Sequence, residues 1–481
     1  MSPDGRVDLL VVGGGIVGAG VARDAAQRGL TVVLVDQSDF ASGTSSRSSR
    51  LLHGGIRYLG QGRIGLVREA SREKKCLAET APHLVEPLPF LFPSYRGGRW
   101  PRWQLGIGVK LYDILCGGGN VGPSTTLDAG AMQERLPGLN PKGLTGGVRY
   151  FDGQTHDARL VLDSLRAAAR DGARLYNFIR FETTEAKDRG WVSRLRDVET
   201  DEVFDIQSRG VVNATGPWSD RLTQSRTRLR PTKGVHLVVA RDRLPVPDAV
   251  VLTEGKRILF AIPWGDRTYL GTTDTDFDGP LEAPDCTAED LDYVLGVVNR
   301  GFPELALVAS DVRSWWSGLR PLVASRHGNP SDISRRHEIT MGEAGWWDVT
   351  GGKLTTYRLM AEQTVDRVVD HFKLSAERCR TDSTLLTEGL PVNGLSAVLP
   401  PPVTEHAVQH YCVHEWVRHL DDILVRRTSW CHYVEDPAAT ARTVAGWMKG
   451  PMSWNAEKVQ EEFLRFAGQL LPAATGTTPE K

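Results

Sequence analysis

No stretch of this 481-residue chain approaches the roughly 20 apolar residues that a membrane-crossing helix needs. Any attachment to a membrane is therefore expected to be peripheral. A leader is not expected either. The first residues lack the charged region, apolar stretch and small-residue cleavage site of a signal peptide, and the apolar run Val7–Val12 has only a strand's length before it meets glycines. Cysteine is sparse: six thiols, at positions 76, 116, 286, 379, 412 and 431, form no C-x-x-C pair and no Cys/His cluster of zinc spacing. That pattern argues against a disulfide framework or a structural metal and fits a reducing cytoplasm, so no metal site is expected. A basic surplus is also missing. The 58 Lys and Arg are balanced by 59 Asp and Glu, whereas a protein devoted to nucleic acid carries a marked positive excess. There is no internal repeat. What remains is an ordinary globular composition in a chain too long for one core, so two or three domains are expected.

The strongest local signal is at the start. Gly13, Gly15 and Gly18 form G-x-G-x-x-G directly after the strand-like Val7–Val12. A helical stretch, Ile16 to Arg28, follows and is closed by Gly29; a second apolar strand, Thr31 to Val35, then ends at Asp36. Every glycine has its own physical reason. Gly13 makes the tight turn, Gly15 lets the backbone approach a pyrophosphate, and Gly18 lets helix pack on strand, while the helix N-terminus stabilises phosphate charge. Asp36 stands where a carboxylate accepts hydrogen bonds from ribose hydroxyls.

FAD is favoured over NAD by what comes next. A hydroxyl-rich loop containing Thr44, Ser45, Ser46 and Ser49 replaces the further βα units of a simple NAD domain, and its hydroxyls and amides suit pyrophosphate and flavin oxygens. Asn213 to Gly216 and Thr350 to Thr356 each end an apolar strand, and the second precedes a helix. A helix N-terminus there would stabilise the anion of reduced flavin, with Gly216, Gly352, Lys353, Leu354 and Thr355 as cofactor contacts. Between these segments, Val235 to Thr273 holds several short β-like runs broken by Pro and Gly, which predicts an antiparallel sheet. Asp157 to Gly172 reads as a helix with a charged face, 385–403 as a Pro- and Leu-rich linker, and the remainder as helical.

Taken jointly and in order, GGGIVGAGVARDAAQRGL, TSSRSSRLLHGGIRYL, APHLVEP, NATGPW, KGVHLVV, GTTDTDFDGP, GLRPL and GGKLTTYR resemble the FAD-dependent glycerol-3-phosphate dehydrogenases of the D-amino-acid-oxidase-like flavoprotein superfamily. The similarity runs from about residue 7 to 375 and resumes at Val413–Leu424. The resemblance implies an α/β fold: a Rossmann-like FAD-binding domain interleaved with an antiparallel-sheet α+β substrate domain, plus a C-terminal helical domain. The corresponding division assigns 1–95, 156–230 and 346–375 to FAD binding and 96–155 and 231–345 to the substrate region. It makes 376–402 a linker, 403–472 the helical domain and 473–481 a disordered tail.

The implied activity is oxidation of sn-glycerol 3-phosphate to dihydroxyacetone phosphate, by hydride transfer from C2 to flavin N5, with electrons passed to membrane quinone. Oxygen as acceptor, another polyol phosphate such as an erythritol phosphate, and a non-catalytic flavin-bound membrane-surface protein are the alternatives. A phosphate dianion needs fixed positive charge, and Arg supplies planar bidentate donors. The resemblance makes Arg57, Arg320, Arg335 and Lys353 the pocket cations, with Arg320 also catalytic. It makes His236 the base for the C2 hydroxyl proton, and Tyr58 and Thr272 hydroxyl donors to substrate. His53 is read as a flavin-proximal residue without a covalent bond. Basic and aromatic residues around Leu105–Leu115, among them Arg99, Trp100, Arg102, Trp103 and Lys110, suit either a helix lying on anionic lipid or a packed helix. Three departures stand out: Val17 where a polar residue is usual, Arg50 where Lys is common, and a short segment between Lys373 and Glu405. Membrane docking and assembly, a homodimer included, are therefore inherited less firmly than the chemistry.

Overall fold

The computed structural model describes residues 6–55, 59, 62–117, 122–188, 190–255, 257–323, 337–390 and 394–468. Among these, the strands fall into one sheet of eight and one of ten. The first sheet is built around Val7–Val12, which runs parallel to Val32–Val35 on one side and Val203–Asn213 on the other. Arg174–Tyr176 and Trp346–Thr350 extend it in parallel. Strands covered on both faces need continuous apolar sequence, which VDLLVV and VVLV supply. Helices Ile16–Gln27, Asp157–Arg170 and Tyr357–Phe372 cover one face, and small residues such as Ala19, Ala22, Ala158 and Ala361 let them pack closely on Leu9, Val11 and Leu34. The glycine turn thus sits at the carboxyl end of the central strand, where ligands of such sheets bind.

The second sheet is antiparallel apart from one pair: Ala249–Glu254 runs parallel to Glu86–Tyr95. Its centre is the long pairing of Leu229–Ala240 with Val312–Val323, followed by Arg267–Gly271 and Arg257–Trp264. Glu86–Tyr95 pairs with Leu144–Gln154 in this sheet, so the division at residue 95 does not separate the two sheets.

The C-terminal helices Glu405–His414, Pro437–Met448 and Ala456–Ala467 have their own core around Tyr411, Leu424, Trp430 and Met448. They dock through buried charge. The charged face read on Asp157–Arg170 does not meet solvent: Arg159 donates to Glu415 at 2.6 Å and to Asp163 at 2.9 Å, with all three side chains buried. Asp39 is likewise enclosed by Arg426 and Arg427. The segment read as a linker is packed rather than loose. Ser396 bridges Arg159 and Asp163, and the Trp430 indole donates to the Pro401 carbonyl at 2.7 Å.

Candidate active site

A cavity of about 940 Å³ runs between the two sheets. Its size lies near the top of the range for ligand sites, roughly 300–1,000 Å³, which suits a dinucleotide with a small substrate beside it. At one end lies the glycine turn. Gly13 has φ +107°, and a Cβ there would stand 2.6 Å from the Ala214 carbonyl oxygen; a Cβ on Gly18 would meet the Gly13 carbonyl oxygen at 1.8 Å. Gly13 and Gly15 line the cavity, whereas Gly18 sets the helix against the strand behind it, as its position in the motif requires.

Asp36 accepts hydrogen bonds from the Gly14 amide at 2.7 Å and the Ser38 amide at 2.9 Å. The open cavity leaves its side chain half-buried by surface area, yet the depth of the site raises its carboxyl to about 6, against the opposing effect of those amides. A hydroxyl donates more strongly to a carboxylate than to the protonated acid. With Asp36 as the expected acceptor for the ribose hydroxyls, FAD affinity should fall as pH drops through 6, by up to about tenfold between pH 7 and 5 for a single proton. Fluorescence titration of apoprotein with FAD across that range checks this.

The hydroxyl-rich loop forms a 3₁₀ turn, Thr44–Ser46. Thr44 donates to the Leu319 carbonyl at 2.6 Å, and Ser45 Oγ accepts from the Ile16 amide at 3.0 Å, so both are fixed at the cavity wall. Ser46, expected as a cofactor contact, is buried and does not line the cavity. Three residues per turn set neighbouring side chains about 120° apart, so consecutive hydroxyls cannot all face one ligand. Ser49 does face inward, with its Oγ 2.8 Å from His236 Nε2. At the far strand end, Gly216, Gly352, Lys353, Leu354 and Thr355 all line the cavity. Thr355 Oγ1 accepts from the His53 amide at 3.1 Å, which ties the third glycine-rich segment to the loop containing His53.

The second sheet forms the opposite wall, and its register explains which side chains meet there. Trp316 stands opposite His236, His236 opposite Gly271, and Gly271 opposite Phe260, so one row across four strands shares a face. Gly318 and Arg320 follow Trp316 at steps of two on the same face. The Arg320 guanidinium lies over Gly234, bonded to Thr272 Oγ1 at 3.1 Å and paired with Asp274 at 3.2 Å. His236 is 3% exposed and stacks on Trp316 with ring centroids 5.2 Å apart. Burial, then the Arg320 and Arg50 guanidinium groups, push its pKa down to about 3, so the ring is neutral at physiological pH.

The structure brings residues expected from separate segments together: His236, Thr272, Arg320 and Lys353 share one cavity with Gly13 and Asp36. Arg57, Tyr58 and Arg335 lie outside the described residues. Several lining residues are absent from the sequence reading. Arg47 sits deep in the same loop, with a guanidinium that burial and Arg426 lower to about 10 and that is still charged at neutral pH. Phe260, and Trp316 which backs His236 without lining the cavity, could have been found from the period-2 spacing about His236 and Arg320. His419, Arg426 and Arg465 reach the cavity from the C-terminal helices, and no local pattern marks them.

Comparison with known proteins fits this geometry. The family model described as FAD dependent oxidoreductase matches residues 8–367. The aerobic glycerol-3-phosphate dehydrogenase of Bacillus subtilis strain 168 is 39% identical over 398 residues, which cover 80% of this chain and 71% of the relative. The alpha-glycerophosphate oxidase of Streptococcus pneumoniae is 36% identical over 454 residues, 81% of this chain and 74% of that one. Among solved structures, the glycerol-3-phosphate dehydrogenase of Bacillus halodurans complexed with FAD superposes with a TM-score of 0.79 at 30% identity, over 98% of this chain and 97% of that one. The close approaches at Gly13 and Gly18, the carboxylate at the strand end and the dinucleotide-sized cavity are what that cofactor requires. In sequence and in backbone, the chain belongs to the FAD-dependent oxidoreductase family, among the aerobic glycerol-3-phosphate dehydrogenases, with FAD as its cofactor.

Proposed function

We propose that the protein oxidises sn-glycerol 3-phosphate to dihydroxyacetone phosphate and passes the electrons to a membrane quinone. The observation that carries this reading is the meeting of Arg320, Thr272, Lys353 and a neutral, buried His236 in the cavity that begins at the dinucleotide turn. Bound FAD supplies the acceptor for the hydride that leaves C2. The protein supplies the rest. Arg320 and Lys353 hold the phosphate dianion; Arg57, Tyr58 and Arg335, by resemblance, complete that pocket. Thr272 donates to a substrate oxygen and is itself oriented by Arg320. His236 takes the C2 hydroxyl proton. Its low proton affinity in the free protein comes partly from Arg320, and a phosphate dianion on Arg320 offsets that field, so the imidazole becomes a better base when substrate is bound. The peptide amides following Gly352, at the start of the turn Leu354–Thr356 and helix Tyr357–Phe372, would offer partial positive charge to the anion of the reduced flavin when FAD is bound.

Glycerol 3-phosphate added anaerobically to the yellow holoprotein should bleach the visible flavin band. An unbleached spectrum would overturn the substrate assignment. Turnover with a soluble quinone, without release of hydrogen peroxide, is the expected acceptor result.

A surface feature supports a membrane-borne acceptor. No described helix is long and apolar enough to cross a membrane. Helix Arg102–Leu115, however, buries Leu105, Val109 and Tyr112 and turns a second apolar stripe outward: Trp103, Ile107, Leu111 and Ile114, exposed by 67, 62, 38 and 75%. Arg99, Arg102 and Lys110 accompany the stripe. Each large apolar side chain moved out of water contributes about 1.5–3 kcal/mol, enough together for reversible docking on anionic lipid. The triple change Trp103→Ser, Ile107→Ser, Ile114→Ser should lower partitioning onto phosphatidylglycerol vesicles by about tenfold or more while anaerobic bleaching is unaffected. Unchanged co-sedimentation would remove this helix from the docking surface.

A further inference from the structure

Arg50 occupies an unusual place for a cation. It is 2% exposed, and its backbone holds φ +54°, in the left-handed region that disfavours a long side chain. Its guanidinium lies between two indoles, 4.6 Å from the Trp264 ring and 4.8 Å from the Trp316 ring. Its ion pair, Nε to Asp157 Oδ1, is 3.7 Å long. Nε and Nη1 make no hydrogen bond among the described residues, and Nη2 donates to Ser429 Oγ at 3.0 Å. A buried charge so weakly matched is costly to keep, and a packing role would be filled better by an apolar residue.

Its surroundings point at His236. Trp316 stacks on the His236 ring with an interplanar angle of 18°, and its indole donates to the Ser48 carbonyl at 3.0 Å. Ser49, next to Arg50 in the chain, is the hydroxyl partner of His236, and its carbonyl is held by Tyr269 at 3.0 Å. From the C-terminal helices, His432 packs on Trp316 at 5.3 Å and meets Ser314 Oγ at 3.2 Å.

We propose that Arg50 is a positioning residue for the reaction: clamped by Trp264, Trp316 and Ser429, it fixes the aromatic plane and the serine that orient His236, and keeps a positive charge behind that ring. The C-terminal helices thereby take part in catalysis without touching substrate. This rests on the reading of His236 as the base. The charged groups facing His236 are Arg50 and Arg320, and both lower its proton affinity; the titratable groups facing Arg50 are Asp157, His156, Tyr269, Cys431 and His432.

The test is the anaerobic rate of flavin reduction by glycerol 3-phosphate, per bound flavin, from pH 3 to 9 so that the acid limb of His236 is covered, in Arg50→Met, Arg50→Lys and His236→Ala. Arg50→Met should move the acid limb of the rate profile up by about one pH unit or more and slow reduction, with the half-saturating substrate concentration changed by less than about twofold. Arg50→Lys keeps the charge and should keep the wild-type limb. Should Arg50→Met not accumulate as yellow protein, Ser429→Ala, which removes the bond to Nη2 together with the Ser429 contacts to His156 Nε2 and the Val425 carbonyl, should displace the limb in the same direction by less. An Arg50→Met profile that overlays the wild type, or a Lys variant displaced as far as the Met variant, overturns the proposal while leaving His236 in place. A wild-type rate in His236→Ala overturns both.

Discussion

Replacing His236 with alanine is expected to slow reduction of the bound flavin by glycerol 3-phosphate by about 10²- to 10⁴-fold, the usual contribution of a positioned base. The half-saturating substrate concentration should change little. The asymmetry follows from where the ring acts: proton transfer develops on the way to the transition state, so its loss raises the barrier without weakening the ground-state grip of the cations. The structure adds a pH signature. His236 is pushed down to about 3 in the free protein, so the wild type holds a neutral base across the physiological range, and its rate should fall only at pH well below 6. The variant, with no imidazole, should lose that limb and regain rate as hydroxide rises. Stopped-flow traces normalised to flavin content separate this from poor folding. Equal reduction rates in the two proteins would remove His236 from the chemistry.

How far the sequence alone leads can be judged at particular residues. The turn Gly13–Gly18 and Asp36 are legible because strand, turn, helix and acid are contiguous, and each glycine answers a local steric demand. The cluster of Arg320, Thr272 and His236 is reached by resemblance, since its members come from separate segments whose pairing no short window reveals. Glu86–Tyr95 does not read as a strand because Pro87, Pro89 and Pro93 argue against one. All three occupy alternate positions of one parity, so their missing N–H groups fall along a single side of the strand, where pairing with Ala249–Glu254 extends only over Phe90 and Leu91. Arg50 and Trp316 give no signal of partnership, because their contact depends on how the loop crosses the second sheet and they lie far apart in the chain. The buried charges of Asp157–Arg170 are hidden for the same reason: Glu415, which neutralises Arg159, is equally remote.

Arg320→Ala is the second large effect, and it should differ in kind. Arg320 is 23% exposed at the cavity wall, between Asp274 and Thr272. In the proposed complex it meets the phosphate of the substrate, so truncation removes charge-assisted hydrogen bonds present in both the bound and the transition state. It also leaves the Asp274 carboxylate facing an anion. Removing one partner from a hydrogen-bonded charge pair costs about 2–5 kcal/mol, which at about 1.4 kcal/mol per tenfold corresponds to roughly 30- to 4,000-fold in kcat/KM. Most of this should appear as weaker binding, unlike the effect at His236. A smaller part should appear in the rate, because Thr272 loses the group that orients it. Lysine at this position keeps the charge but not the planar fork and should recover only part of the loss. Competition by inorganic phosphate checks the assignment independently: it should inhibit the wild type against glycerol 3-phosphate and fail to inhibit Arg320→Ala. If the variant keeps the wild-type half-saturating concentration and sensitivity to phosphate, the anion lies elsewhere in the cavity, and Lys353 and Arg47, which also line its wall, become the next cations to replace.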